Sequence, residues 1–588
     1  MSEVAQGLLR RLFSPRSIFN VRIFTRIVVP LLVILIFICL ISPSLKSNIS
    51  FSQAVYDRNG KLLRLTLSRD DKYRLWLPLK SISPVLVKST LLHEDRWFRF
   101  HPGVNPAALV RAFTHTYLKQ DRRMGASTIT MQLARIRYDI NSRTISGKIH
   151  QMFAALWLEL LYSKDEILEA YLNLVPYGLN IEGAGAASLI YFHKDADRLT
   201  LPEALTLSVI PQSPARRIVA NEDALSGNPE REQARTRLFS AWIEDHPKDR
   251  EQQQMLRLPV TLRRPSELPF MAFHFANAAL QNNPYDSRLD TTLDLALQGL
   301  VERHARSYVP SRRSVGIKNA VVMLVDHRSM EVKALLGSVD FFEPSIQGQV
   351  NGTAAKRSPG SAMKPFIYGL GIDQGLIHPL TMLKDAPMSF GGYNPENFDN
   401  EFIGPLAARD ALVKSRNIPA VEIASRLKDP DLHRFLMQAG VTGLRDREYY
   451  GMALALGGVE VSMQELVELY SMLPNEGMLR QLRWFKNDAD EEGRRLLSRE
   501  ASFLVLDMLA SNPRPGQGYR PDWVRDSTAV MWKTGTSFGF RDAWSVGVFG
   551  PYVLAVWVGN FDGEGNPAFI GREAASPLFF SIIDALKA

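Results

Sequence analysis

The first hydrophobic feature of the chain is also its least ambiguous. From Ile27 to Leu45 there is no charge, and the run is almost wholly apolar from Ile27 to Ile41, just long enough for a helix to span a bilayer. Arg10, Arg11, Arg16, Arg22 and Arg26 precede it against a single acidic residue, Glu3. That asymmetry marks the N-terminal side as cytoplasmic and the remaining chain as exported. A cleaved signal peptide is the competing reading, because Ser42 and Ser44 give a small-x-small pattern. Pro43 between them weakens the cleavage site, and bulky Ile38 before Cys39 disfavours a lipoprotein signal. A buried helix of a soluble protein would not need the one-sided arginine flank. The pattern therefore predicts a tail over 1–26 and a retained single-pass transmembrane helix over 27–45.

Beyond the anchor the period changes several times. Phe51 to Leu79 is strand-like, with a turn at Asp57-Arg58-Asn59-Gly60. From Ser83 to about Ala187 the pattern is helical. Ser83-Pro84 and Asn105-Pro106 each place proline at a first helical position. Ser163 with Glu166 makes a capping box ahead of the apolar face Ile167, Leu168, Tyr171, Leu172 and Val175. From Arg216 to Pro265 the chain turns polar and arginine-rich, which reads as a connection with helical pieces. Asn319 to Leu336 reads as two strands around a turn at Asp326 to Met330. Short β runs follow at Trp544 to Phe549 and Tyr552 to Val558, then a helix at Ala575 to Leu586. The expected order is an all-α lobe over 51–215, a linker region over 216–300 and a mixed α/β domain over 301–588.

Composition narrows the picture. A chain of 588 residues exceeds one ordinary core, and 46% hydrophobic with 22% charged residues is globular. The single cysteine, Cys39, excludes an intrachain disulfide and a thiol-ligated metal site. The net charge of +9 fits an anionic partner. Nucleic acid is disfavoured, since zinc-finger spacing, a basic helix with interleaved aromatics and a Walker-type loop are all missing.

Two constellations carry candidate chemistry. The first is the stretch His93-Glu94-Asp95-Arg96-Trp97-Phe98-Arg99-Phe100-His101-Pro102-Gly103, which ends the helix begun at Ser83. A carboxylate there feels the negative end of the helix dipole, which disfavours its ionised form and suits a general base. Alone, such a run reads as a solvated cap. Gly125-Ala126-Ser127-Thr128-Ile129-Thr130-Met131-Gln132 changes that reading. Gly125 and a Ser127 cap would expose N–H groups at a helix start, a place for phosphate oxygens, with Arg122 and Arg123 beside it. Thr128 and Gln132 would share one helix face. A phosphate-binding helix start beside a carboxylate fits sugar transfer from a diphosphate.

These two stretches resemble the first motifs of glycosyltransferase family 51, the peptidoglycan polymerases. A later motif is matched by Lys164-Asp165-Glu166-Ile167-Leu168-Glu169-Ala170-Tyr171-Leu172-Asn173 with Gly178 after it. The resemblance implies a mainly α, lysozyme-like fold. It implies that Glu94 deprotonates the 4-hydroxyl of the acceptor GlcNAc, which attacks the lipid-diphosphate donor with inversion. Asp95, Phe98, His101, Gly125, Ser127, Thr128, Gln132 and Lys148 are then expected around the substrate. The resemblance implies that no cofactor is required. Family members can use a divalent cation, Mg or Mn, but the sequence offers no ligand set for one. The third family motif, usually Arg-Lys-x-x-Glu, departs here to Gly147-Lys148-Ile149-His150-Gln151. Gln151 cannot ionise but can orient a hydrogen bond.

The second constellation begins with Ser361 and Lys364, three apart in Ser358-Pro359-Gly360-Ser361-Ala362-Met363-Lys364. That spacing at a helix start puts both on one face, where a lysine of lowered pKa can take the serine proton. Ser415-Arg416-Asn417 and Lys533-Thr534-Gly535-Thr536-Ser537 follow in order. The set resembles the Ser-x-x-Lys, Ser-x-Asn, Lys-Thr-Gly motifs of penicillin-binding proteins and class A β-lactamases. It implies an α/β domain with a central antiparallel sheet flanked by helices. Ser361 would form an acyl-enzyme with the D-alanyl-D-alanine carbonyl, Lys364 accept its proton and Ser415 relay it to the leaving amine. Asn417 would bind the substrate amide, and Lys533, Thr534 and Thr536 the terminal carboxylate. Gly535 would clear space for an extended substrate along the strand. The N–H groups of Ser361 and Thr536 would form the oxyanion hole. Trp532, Trp544 and Trp557 read as core.

One chain with both sets resembles the class A penicillin-binding proteins. Gly348-Gln349-Val350-Asn351-Gly352 and Arg357-Ser358-Pro359 are similar to the 1C type, without the further C-terminal domain expected there. Implied partners are lipid II and nascent peptidoglycan, the inner membrane, β-lactams at Ser361 and other wall-synthesis proteins, with the catalytic domains periplasmic. A D,D-carboxypeptidase or β-lactamase, a polymerase whose second domain only binds β-lactams, and a non-catalytic scaffold remain as rivals.

Overall fold

The computed structural model describes residues 43–108, 127–218, 228–256, 258–516 and 528–587. The expected tail, the anchor as far as Ser42, and Gly125 lie outside them. Among the described residues no helix is long and apolar enough to cross a membrane.

The chain divides into two compact units, and the division is not a single cut. Residues 65–268 form the body of the first, while 55–64 and 269–588 form the second. The early hairpin strand Leu62–Leu65 and its partner Ala54–Tyr56 pair in one sheet with Arg288–Asp290. Val55 and Leu63 are fully buried in the core of the second unit. A local reading assigned this hairpin to the polymerising lobe, because its strand partner lies more than two hundred residues downstream.

The first unit is built from helices α1 (Pro84–Glu94), α2 (Ile129–Arg137), α3 (Ile145–Leu161), α4 (Lys164–Leu174), α5 (Ala184–Phe192), α6 (Leu201–Val209) and α7 (Pro229–Asp245). Ser163 and Glu166 form the expected capping box at α4. Helix α7 falls in the expected linker region but buries Ala234, Leu238, Phe239 and Trp242 against Leu201, Leu205 and Val209 of α6. Its arginine-rich composition hid that stripe.

In the second unit, strands β1 (Asn319–Asp326), β2 (Glu331–Leu336), β3 (Val530–Thr536), β4 (Asp542–Phe549) and β5 (Tyr552–Gly559) form one antiparallel sheet in the order β3-β4-β5-β1-β2. Residues of β1 alternate between two cores. Val321, Met323 and Val325 face one, Ala320, Val322 and Leu324 the other. Burial on both faces explains why the strand reads as continuously apolar. One face is covered by α8 (Leu295–Ser311) and α11 (Ser576–Lys587), the other by α9 (Lys364–Asp373) and α10 (Met463–Met472). Trp532, Trp544 and Trp557 are core residues. β3 is an edge strand of that sheet, and side chains already meet part of its outer backbone: Asn512 Nδ2 donates to Trp532 O at 3.1 Å and Lys533 Nζ to Thr534 O at 3.1 Å.

Candidate functional sites

Helix α1 ends at Glu94, which places its side chain toward α2. Gln132 Nε2 of α2 donates to Glu94 Oε2 at 2.7 Å, and Tyr171 of α4 donates to Gln132 Oε1 at 3.3 Å. Glu94 Oε1 is buried and has no hydrogen-bond partner among the described residues. Burial is the main cause that pushes the Glu94 carboxyl above its ordinary range, with Asp95 adding to it. Gln132, Arg217 and Arg135 pull the other way. The helix end noted in the sequence is there, but desolvation governs the shift. Tyr171 is the orienting residue the sequence did not announce, since it reads as one more apolar position of α4.

Several motif residues serve as supports. The Asp95 carboxylate takes His101 Nε2 at 2.9 Å and the Ile129 backbone N–H at 3.1 Å, so it ties the loop after α1 to the start of α2. Phe98 is a core residue beneath Lys164 Nζ, which lies 4.4 Å from the ring centre. The expected Ser127 cap is corrected to Thr128, whose Oγ1 accepts from Met131 N at 3.1 Å. Its hydroxyl also donates to Gly103 O, so Thr128 turns inward and does not share an open face with Gln132. Ser127 instead accepts from Lys148 Nζ at 2.6 Å.

Gln151 has a physical reason to be an amide. It accepts from Lys148 Nζ at 3.0 Å and donates Nε2 to Met131 O at 2.6 Å. A carboxylate could make the first bond but would set oxygen against oxygen at the second. Farther along, Asn173 bonds both backbone groups of Leu77, and Glu169 accepts from Trp76 Nε1 and Leu79 N. The Lys164–Asn173 motif thus anchors the chain entering the lobe. The residues fit a divalent cation poorly: both Asp95 oxygens are engaged, and among the described residues no three His, Cys, Asp or Glu side chains gather as ligands.

In the second unit Ser361 sits in a tight turn, Gly360–Met363, and Lys364 opens α9. The three-residue turn brings both to one side. Lys364 Nζ is fully buried and donates to Ser415 O at 2.6 Å, Arg416 O at 3.0 Å and Asn417 Oδ1 at 2.6 Å. Lys533 Nζ donates to Ser415 Oγ at 2.8 Å. The four motif side chains Lys364, Ser415, Asn417 and Lys533 therefore share one network. Ser361 Oγ makes no side-chain hydrogen bond with them. Ser415 holds a left-handed backbone, φ 59°, which is costly for a non-glycine residue and is fixed by the carbonyl contact to Lys364.

Burial lowers both lysines. Lys364 falls well below its ordinary value through desolvation, then the charges of Lys533 and Arg416, opposed by Asp385. Lys533 is brought down to about 7 by desolvation and Arg572. Arg416 pairs with Asp385 at 2.7 Å and Asp399 at 2.6 Å, pinning the preceding loop, and Asn417 Nδ2 donates to Glu396 O within it at 2.6 Å.

Gly535 has a packing reason that the sequence did not show. A Cβ there would stand 2.1 Å from Pro359 O, so the glycine lets the turn that carries Ser361 press against β3. Gly360 answers it, with φ +52° and a Cβ position 2.3 Å from Thr536 O. Thr536 Oγ1 accepts from Gly571 N at 3.0 Å, while Thr534 is half-buried on the same strand.

Comparison with known proteins finds two families along the chain. Residues 59–239 match the Transglycosylase family and residues 320–549 the penicillin binding protein transpeptidase domain. Penicillin-binding protein 1C of Escherichia coli is 34% identical over 91% of this chain and 68% of its own length. Penicillin-binding protein 1B of Vibrio cholerae is 27% identical over 86% of this chain and 68% of its own. The crystal structure of penicillin-binding protein 1A from Haemophilus influenzae shares the fold, with a TM-score of 0.54 at 16% identity over 92% of this chain and 93% of that one. The chain belongs to the class A penicillin-binding proteins, which join a peptidoglycan transglycosylase to a serine transpeptidase.

Proposed function

We propose that Glu94 is the general base of glycan polymerisation and Ser361 the nucleophile of D,D-transpeptidation, on a chain held at the inner membrane by residues 27–45. The observation that carries the first part is the asymmetry of Glu94. One oxygen is fixed by Gln132 and the other is buried without a hydrogen-bond partner among the described residues, beside the cations Arg135 and Arg217. The acceptor O–H breaks to that oxygen, the freed oxygen pair bonds the anomeric carbon, and the diphosphate leaves with the bond it gives up. Lys148, half-buried at Ser127, suits the leaving diphosphate.

For the second reaction, Lys364 meets three oxygen acceptors, which matches the three hydrogens of an ammonium. Burial beside Lys533 favours the neutral amine, which fills two of those contacts and leaves a lone pair for the Ser361 proton. Ser415, hydrogen-bonded to Lys533, is placed to return it to the leaving amine.

The membrane reading draws on α3. Ile145, Ile149, Phe153, Leu156, Trp157 and Leu160 are all exposed at helical spacing, Phe153 to 68%. At the end of that helix Tyr162 donates to Pro43 O at 2.7 Å, so the apolar run ends where the stripe ends. A lipid surface covers such a stripe.

The test is glycan-chain formation from purified labelled lipid II by the full chain in detergent, wild type against Glu94→Gln. Polymer from wild type and none from the variant is expected. A folded wild type that binds penicillin yet makes no polymer overturns the polymerase role.

A further inference from the structure

The unpaired oxygen of Glu94 is not alone. His93 Nε2 lies 3.9 Å from Glu94 Oε1, and both atoms are buried without a hydrogen-bond partner among the described residues. A ring N–H facing a carboxylate closes to about 2.8 Å. Two acceptors facing each other stand apart. We propose that His93 is a positioning residue for the polymerase base: Glu94 Oε1 and His93 Nε2 are one proton short of a hydrogen bond, and the proton taken from the acceptor hydroxyl completes it. This rests on Glu94 being the base.

The atoms balance without a further reactant. The acceptor O–H breaks, an O–H forms on Glu94 Oε1, and that new O–H donates to the His93 lone pair. The proton stays on the carboxyl, because the imidazole is held neutral. Burial, Arg217 and Arg237 bring its pKa down to about 4, and Gln212 opposes them. The groups facing the pair come from every neighbouring element. Arg135 lies on α2, Tyr171 on α4, Tyr177 on the strand after it, Asp95 in the loop after α1, Arg217 after α6 and Arg237 on α7. Arg217 is itself fixed, donating to Gln212 Oε1 at 3.0 Å and to Val209 O. An acceptor at His93 stabilises the protonated carboxyl and repels the carboxylate, so it raises the pKa of the base and lowers the barrier to proton transfer.

The test is the pH dependence of lipid II polymerisation by the full chain, wild type against His93→Leu, with kcat and KM separated. The inference predicts kcat lower by about tenfold, the loss of one hydrogen bond, with KM within about twofold. It also predicts an acidic limb displaced to lower pH. A limb that stays in place or moves to higher pH overturns it. A merely structural His93 would lower activity at all pH values without moving the limb. If His93→Leu fails to fold, His93→Gln decides. Its amide oxygen can accept the same proton, so kcat stays within about threefold of wild type. A loss by Gln as large as tenfold overturns the inference. Wild type that makes no polymer removes the base assignment; a polymerising wild type with an unmoved limb in the variant removes only the His93 role.

Discussion

The two sites use burial in opposite directions. Around Glu94, desolvation pushes an acid up against the pull of Gln132, Arg217 and Arg135, and the side chain that hydrogen-bonds it is a neutral amide, itself held by a phenol. Around Ser361, desolvation pushes two bases down, and each lysine is further disfavoured by a neighbouring cation. Both arrangements bring a proton acceptor nearer to neutral pH from opposite ends of the scale. On the proposed roles, the first site relies on one carboxylate. The second has a connected network, since the buried polar hydrogens of its lysines are costly to leave without acceptors.

The sharpest break of this comparison is Lys364→Met. It fills the volume but removes the base and leaves Asn417 Oδ1 and two carbonyls unpaired. Acylation by labelled penicillin is expected to fall by on the order of 10³-fold or more while polymerisation persists. Retained acylation would remove Lys364 as base.

Next in size is Gln151→Glu, which restores the usual family residue yet destabilises the first unit. The lost donor to Met131 O and the repulsion it leaves are worth about 1–3 kcal/mol, read as a lowered thermal midpoint. An unchanged midpoint would show that Met131 O finds another donor.

Lys533 gives a pH-dependent contrast. Its folded pKa, about 7, lies below the ordinary lysine value of 10.5, so between those limits the unfolded chain binds the extra proton. Its contribution therefore makes stability rise with pH from about 7 upward. Lys533→Met is expected to flatten that rise in urea titrations, and an equal slope in both proteins would contradict the shift. The smallest effect is Tyr171→Phe, which frees Gln132 from one weak bond. A fall of about threefold in polymerisation with unchanged penicillin acylation is expected. No fall would make Gln132 self-supporting.

The chemistry was more legible than the architecture around it. Ser361, Lys364, Ser415, Asn417 and Lys533 stand out because order and spacing survive in a linear string, and the network joins the last four of them. What surrounds Glu94 depends on contacts between distant helices. Tyr171, Arg217 and the buried face of His93 carry no local signature. Thr128 rather than Ser127 caps α2 because either residue satisfies the pattern and only the path from Gly103 decides. The pairing of the hairpin at 55–64 with a strand of the second unit was hidden for the same reason, its partner strand being remote in sequence. Gly535 was noticed for substrate clearance, and the close approach of Pro359 that also requires a glycine there could not be read from the string.

The most direct test of two independent active sites is a crossed assay on one set of preparations. Wild type, Glu94→Gln and Ser361→Ala are each measured for lipid II polymerisation and for covalent penicillin labelling. The account predicts that Glu94→Gln labels fully and makes no polymer, and that Ser361→Ala polymerises and does not label. Polymer from Glu94→Gln at the wild-type rate, or label retained by Ser361→Ala, would contradict it.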